Sequence, residues 1–433
     1  MRTLATPLAF AILAGPLAAQ ATDTDARIAA LEKKVEKLTK ATDKGSKKDG
    51  VSVKFGGRFH LDNTYFSGNE NRLANGTQLR RARISFKLGF GKDWSAEGDY
   101  DFADSTASIK DMWLGYEGFK NQFIQVGQFK EPFGFDTLSS SNAIWLMERS
   151  YSDIWSPDRH VGLGYQIWGS RWQAKASFFG QAIDDTNNGG DLDVNGSDQG
   201  WGYAARASVA PLLLSETRAI HLGVAFAHRT PNADYSTTSN TALGSMVYTV
   251  DLSGRPEADK VSKAKFLNAK ITNVDNWEQT GAEFCGVWDH FSWQSEYQET
   301  KVNRRGSATP ANTVDHKFNT YYGQVSWIFG GQRTYDAGAG LFGKVVPSKN
   351  GALELVARWS KMNQDDITTL DPVKGGVAKN LTFGLTYYQN KNIRWMLNYT
   401  KVDNNENAKP KAVYGGIAND DFNITSMRLQ VNF

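Results

Sequence analysis

From Val51 to Phe433 the chain repeats one pattern: apolar and polar residues alternate over stretches long enough to cross a bilayer as strands. In "LRRARISFKLGF", Leu79 to Phe90, the even positions from Ala82 are Ala82, Ile84, Phe86, Leu88 and Phe90. The odd positions are Arg81, Arg83, Ser85, Lys87 and Gly89. Successive side chains of a strand point to opposite faces, so this strand has one greasy and one cationic face. The same alternation runs through Val51 to Asp62, Trp94 to Phe102, Leu381 to Gln389 and Ile393 to Tyr399. A soluble sandwich also alternates, so the connections must decide. Sixteen strands are predicted, with tight turns at 91–92, 119–121, 170–171, 288–289 and 391. Longer loops fall at 131–160, 183–199, 229–276, 301–316, 364–378 and 404–421. Short turns at one end and long loops at the other are the habit of an antiparallel β-barrel in lipid. One link, 330–350, should be short and is not. The strand-like Phe266 to Ile271 is assigned to a long loop, which keeps the strand number even.

Composition agrees. Aromatics make up 12% of the chain and a single cysteine, Cys285, forbids an intrachain disulfide. No apolar run of about 18 residues follows the N-terminus, which excludes helical spans but not a barrel. The net charge is only +3, which suggests no nucleic-acid partner. Residues 1–21 read as a signal peptide, with Arg2, an apolar core and a small-x-small cleavage site at Ala19 to Ala21. Residues 22–50 read as a periplasmic segment, with Ile28, Leu31, Val35 and Leu38 at coiled-coil spacing before a Gly/Lys-rich linker. The barrel is assigned to 51–433. Alternation up to the terminal Phe433 resembles the closing strand of bacterial outer-membrane proteins.

In such a barrel the polar face lines the lumen. Arg58, Arg81, Arg83 and Lys87 then point into water, with Glu97, Asp99 and Asp101 among the lining acids. Pairing Phe90 with Trp94 sets Arg83 against Asp101 and Lys87 against Glu97 as cross-strand ion pairs. Arg81 then faces Ala103 and has no acid. Arginine suits anion contact because its fork is bidentate and permanently charged. The 131–160 connection is long, aromatic and rich in serine, and is expected to fold inward. Lys130, Ser139, Ser140, Ser141 and Arg149 would offer donors at a constriction.

The chain resembles the phosphate-selective porin O/P family. The resemblance rests on "LRRARISFKLGF", "EGDYDFAD", "DMWLGYEGF", "VGQFKEPFGFDTLSSS", "LMERS", "PDRHVG", "FLNAKITNVDNW" and "GGQRTYDAG". It implies a 16-stranded outer-membrane barrel of a Gram-negative bacterium, assembled as a homotrimer. It also implies passive uptake of phosphate, pyrophosphate or polyphosphate, with no cofactor and no metal. Carried over by motif, the central anion site is Arg80, Arg81, Lys130, Ser139, Ser140 and Arg149, with Asp111 as the nearby acid. Alternation places Arg81 in the lumen but Arg80 outside, unless a bulge brings it in. The alternative within transport is a general porin without phosphate preference. An enzyme would need a nucleophile, a histidine and an acid held together, and the six histidines are scattered. A structural or adhesive barrel with a plugged lumen is the third class.

Overall fold

The computed structural model describes residues 50–433 apart from 104–106, 184–198, 232–233, 237–244, 248, 255–260, 263, 306–313 and 411–415. The signal peptide and nearly all of the 22–50 segment lie outside the described residues.

The first half of the chain forms β1 (Val51–Ser67), β2 (Gly76–Phe90), β3 (Trp94–Asp101), β4 (Ser108–Tyr116), β5 (Gln122–Lys130), β6 (Arg159–Trp168), β7 (Trp172–Phe179), β8 (Gly202–Ser215) and β9 (Arg218–Arg229). Short strands β10 (Asp234–Ser236), β11 (Ser245–Val247), β12 (Thr249–Gly254) and β13 (Leu267–Thr272) follow. Then come β14 (Val274–Trp288), β15 (Phe291–Arg304), β16 (His316–Phe329), β17 (Gly331–Asp336), β18 (Leu341–Pro347), β19 (Ala352–Asp366), β20 (Val373–Tyr388), β21 (Ile393–Asn404) and β22 (Phe422–Asn432). Sixteen of these, β1–β9, β14–β16 and β19–β22, close into one antiparallel barrel. β10–β11, β12–β13 and β17–β18 are separate two-stranded pieces. The strand-like stretch before Ile271 is therefore β13, outside the barrel wall as expected.

Closure is made by the last strand. β22 pairs with both β21 and β1, and Phe433 exchanges backbone hydrogen bonds with Gly57 at 3.0 and 3.2 Å. A side chain at Gly57 would strike the Phe433 ring and come within 2.6 Å of the Arg83 carbonyl. Glycine is thus required where strand and terminus meet. The outward face is apolar, and Phe90, Trp94, Trp288, Phe291, Trp327, Tyr387 and Trp395 remain exposed beside the short turns. That is the aromatic girdle of a membrane barrel.

The β2–β3 register is the one alternation implies: Phe90↔Trp94, Lys87↔Glu97 and Arg83↔Asp101. The β1–β2 register breaks once. His60 faces Arg81, Leu61 faces Leu79, and Arg80 is skipped. An extra residue in one strand sends two consecutive side chains toward one face. The long 330–350 link is the β17–β18 hairpin, and it turns back into the barrel.

Two inward segments meet inside. The 131–158 segment carries two short helices, α1 (Phe135–Leu138) and α2 (Ser152–Trp155). Its Phe133, Phe135, Ile144, Trp145, Leu146, Met147, Tyr151 and Trp155 are all buried. Phe135, Trp145 and Leu146 share a cluster with Tyr335 and Phe342 of the hairpin and with Cys285, Val287 and Val356 of the wall. Tyr151 and Trp155 pack against Val302, Phe318, Met362 and Ala378. Burying each large apolar side chain contributes of order 1.5–3 kcal/mol, so a loop this apolar is held in the lumen by its own composition.

Candidate anion pathway

The bulge builds the first cluster. With Arg80 skipped, Arg80 and Arg81 both reach the lumen side. Arg80 donates from Nε and Nη2 to the two carboxylate oxygens of Glu148 at 2.7 and 2.8 Å. Arg428 of β22 donates to Asp62 twice at 2.7 Å and to Glu148 at 2.8 Å. Arg83 holds Asp101 at 2.8 Å and lies 3.5 Å from Asp99, which Arg58 also approaches to 3.5 Å. Four arginines (Arg58, Arg80, Arg83, Arg428) thus share four carboxylates (Asp62, Asp99, Asp101, Glu148), and Arg81 adds a fifth cation.

Arg81 is the odd one. It is 4% exposed, its Nη1 lies 3.5 Å from His60 Nδ1, and its Nε has no partner. Among the described residues no carboxylate lies within 4.0 Å of it. A buried cation without a counter-ion is costly to keep, so the cluster holds uncompensated positive potential toward the lumen. Glu148 sits on the inward loop, outside the wall strands. Burial alone would push its carboxyl up, but Arg80, Arg428 and Arg81 outweigh burial and hold it well below the ordinary carboxylate range.

The other sequence-predicted residues form a second group at α1. The Lys130 ammonium donates to the Thr137 carbonyl. Arg149 donates to the Asp136 and Ser139 carbonyls at 2.8 and 2.6 Å and lies 3.6 Å from Asp153. Both cations therefore satisfy carbonyls left open where α1 ends. The Ser139 hydroxyl donates to the Phe135 carbonyl at 2.8 Å, and the exposed Ser140 hydroxyl accepts from the Asn142 amide at 3.3 Å. Asp111 is held by Arg159 through two bonds of 3.1 and 2.9 Å. Lys87 meets Glu97 at 3.1 Å while its side chain stays 63% exposed. The residues expected in one site thus make two sets of contacts, one on β1–β2 and one at α1, which adjoin where Arg80 binds Glu148, the neighbour of Arg149. Asp99 and Asp111 pair across β3 and β4.

Sequence reasoning missed a third set of arginines. Arg394 donates to the Ile144 and Ser141 carbonyls at 2.9 and 3.2 Å and to Gln430 at 2.8 Å. Arg358 donates to the Glu148 carbonyl at 3.1 Å, and Arg333 of the hairpin to the Ala143 carbonyl at 3.4 Å. Arg428 adds the Met147 carbonyl, and Arg58 the Ser141 hydroxyl at 2.9 Å. Bonds from a charged donor contribute about 1.5–3 kcal/mol each, so these arginines clamp the 141–148 stretch against the wall. Arg358, Arg394 and Arg428 all occupy alternating inward positions. That much was readable, but main-chain acceptors leave no mark in a sequence.

The arrangement is a barrel narrowed from both ends, with a cationic excess on one part of its wall. It offers charge and hydrogen-bond donors, on partly exposed side chains such as Arg58, Arg80 and Arg83. A family model, phosphate-selective porin O and P, matches residues 53–433. The trimer form of OmpT, an outer membrane protein of Vibrio cholerae, aligns with TM-score 0.52 at 9% identity, covering 89% of this chain and 100% of that one. OmpF of Salmonella typhi, in complex with daunomycin, aligns with TM-score 0.48 at 13% identity, covering 89% and 98%. The outer membrane channel DcaP of Acinetobacter baumannii gives 0.45 at 11% identity, covering 89% and 98%. No curated protein sequence matches the chain. At 9% identity the OmpT likeness speaks for the fold alone. The family match, by contrast, spans nearly the whole barrel, from β1 to the terminal Phe433, and agrees with its sixteen closed strands and aromatic girdle: the chain belongs to the phosphate-selective porin O and P family and is a porin of the Gram-negative outer membrane.

Proposed function

We propose that this porin passes small anions down their gradient, phosphate, pyrophosphate or polyphosphate among them, through a cationic stretch with one weak binding region. The observation that supports it most is Arg81, a lumen-side arginine without a carboxylate beside four others that share theirs. Fixed cations lower the energy of an anion in a narrow passage and raise that of a cation. Full exposure of five arginines would hold a divalent anion too tightly for conduction. The four acids temper that field, so an anion enters, dwells briefly and leaves. Arg81 acts mainly as a source of field, while half-buried Arg58, Arg80 and Arg83 face the ion.

The homotrimer is part of the same reading. It is supported by family membership and by the trimeric OmpT neighbour. Residues 1–21 as an export signal and 22–50 as a periplasmic segment complete it. A general porin without phosphate preference is the second reading, and the near-balance of the wall charges favours it. The test is phosphate block of chloride current in wild type and in Arg81→Gln. Saturable block in wild type, weakened in the variant, supports the binding region. Chloride current indifferent to phosphate in both favours the general porin.

A further inference from the structure

The lumen is not evenly filled. From β8 round to β22 the inward side chains are almost all excluded from solvent. His221, Ser292, Thr300, Thr320, Ser360, Gln364 and Gln430, spread over five strands, are each 0% exposed. That half is occupied by the 131–158 loop and the β17–β18 hairpin, whose aromatic side chains pack directly on it. The opposite arc, β2 to β7, is filled less completely, although Asp99, Asp101, His160, Gln173 and Ser177 are buried there too. Inward-facing Arg83, Glu97, Asp111, Gln125, Gln166 and Lys175 all retain partial exposure.

One cavity on this arc is cationic. It measures about 140 Å³ and is lined by Lys130, Lys175, Gln125 and Gln166, with Pro132 and Leu138 of the loop as its inner wall. That is room for about four or five waters, or a small oxyanion with part of its shell. Lys175 is inward on β7, between Gln166 of β6 and Arg206 of β8. Arg206 is committed to Glu283 through bonds of 2.8 and 2.7 Å and to the Gly340 carbonyl at the hairpin tip. Gln166 donates to the Gly338 carbonyl at 2.9 Å. Among the described residues no carboxylate pairs with Lys175 within 4.0 Å.

We propose that ions cross this barrel off its axis, in the crescent between the loop and the β2–β7 wall, and that Lys175 is the cation that sets anion preference in the β5–β7 cavity. Arg333, Arg358 and Arg394, which clamp the loop from the far side, then fix the shape of the route without touching the ion. The ligand class is a small inorganic oxyanion or halide. This rests on the anion-channel reading above. Lys175 sits four residues beyond Arg171, where the tight turn ends, so it meets an ion near the short-turn mouth.

The test uses the full-length protein in planar bilayers under a KCl gradient. Lys175→Gln and Lys175→Glu should lower the chloride-to-potassium permeability ratio, the charge reversal by about threefold or more for a charge near the ion path in screened water. A ratio unchanged in both variants, with the barrel folded by heat-modifiable migration, overturns the assignment of Lys175. The route is tested separately by single cysteines at Lys175 and at Thr382, on the filled half. The native Cys285 is fully buried. An anionic methanethiosulfonate should reduce current through Lys175→Cys and leave Thr382→Cys untouched. Reaction at Thr382 with none at Lys175 overturns the off-axis route. A cation-selective wild type would refute the anion reading, while the shift from wild type to Lys175→Glu still reports on the site.

Discussion

Glu148→Gln isolates the internal counter-ion of the arginine cluster. In the native protein Glu148 takes two bonds from Arg80 and one from Arg428, and its carbonyl takes one from Arg358. Glutamine keeps the volume and one acceptor oxygen but removes the charge. For an anion about 6 Å away, one unit charge is worth about 0.7 kcal/mol in water and about 2.8 kcal/mol at an effective dielectric constant of about 20. The side chains of Arg80 and Glu148 are 12% and 17% exposed, so a middle value applies. A gain of about 1.4 kcal/mol is about tenfold in affinity. The half-blocking phosphate concentration should therefore fall about tenfold, and current at saturating phosphate should also fall, because a tighter site releases its ion more slowly. Titration of phosphate against chloride current measures both. Unchanged or weaker block, in a variant whose folded barrel is verified by heat-modifiable migration, would refute the counter-ion argument.

Other outcomes follow from the same contacts. Arg81→Ala should weaken phosphate block about tenfold by the same arithmetic, whereas Lys87→Ala, whose cation is exposed and paired with Glu97, should change it less than about twofold. Arg394→Met leaves the Ile144 and Ser141 carbonyls without their donor, at about 1–3 kcal/mol each, and should give a noisier channel of higher conductance with faster proteolysis within 131–160. Gly57→Ala drives a methyl into the Phe433 ring and the Arg83 carbonyl, so the folded band on electrophoresis should melt at a lower temperature, for a loss of about 1–3 kcal/mol. Glu148 has a depressed carboxyl value in the folded protein, so its stabilisation is complete above the ordinary carboxylate range and is lost only as pH falls through the depressed value. Phosphate-independent conductance should accordingly hold from neutral pH down to about pH 5, and the drop at stronger acidity should shrink in Glu148→Gln.

The barrel was legible because alternation encodes which face meets lipid. The register of β2 on β3 followed from it, since a slip of one residue would have buried Arg83 and Lys87 in lipid. The inward reach of Arg80 was not legible. It depends on a single skipped residue opposite His60 and Leu61, which neither strand announces alone. The 330–350 link stood out by length, yet its inward turn depends on Tyr335 and Phe342 meeting Phe135 and Trp145, residues some 200 positions earlier. Lys130 and Arg149 were readable as loop-associated cations. Their service to the carbonyls around α1 was not, because a four-residue helix has no periodicity to detect.

The most direct test of the central claim is the zero-current potential of the purified wild-type porin in a planar bilayer, with KCl more concentrated on one side. An excess of fixed positive charge on the β1–β7 wall should give a potential of the sign set by chloride, and phosphate added in steps should reduce the chloride current saturably. A potential of the sign set by potassium, or a chloride current that phosphate leaves unchanged, would contradict it.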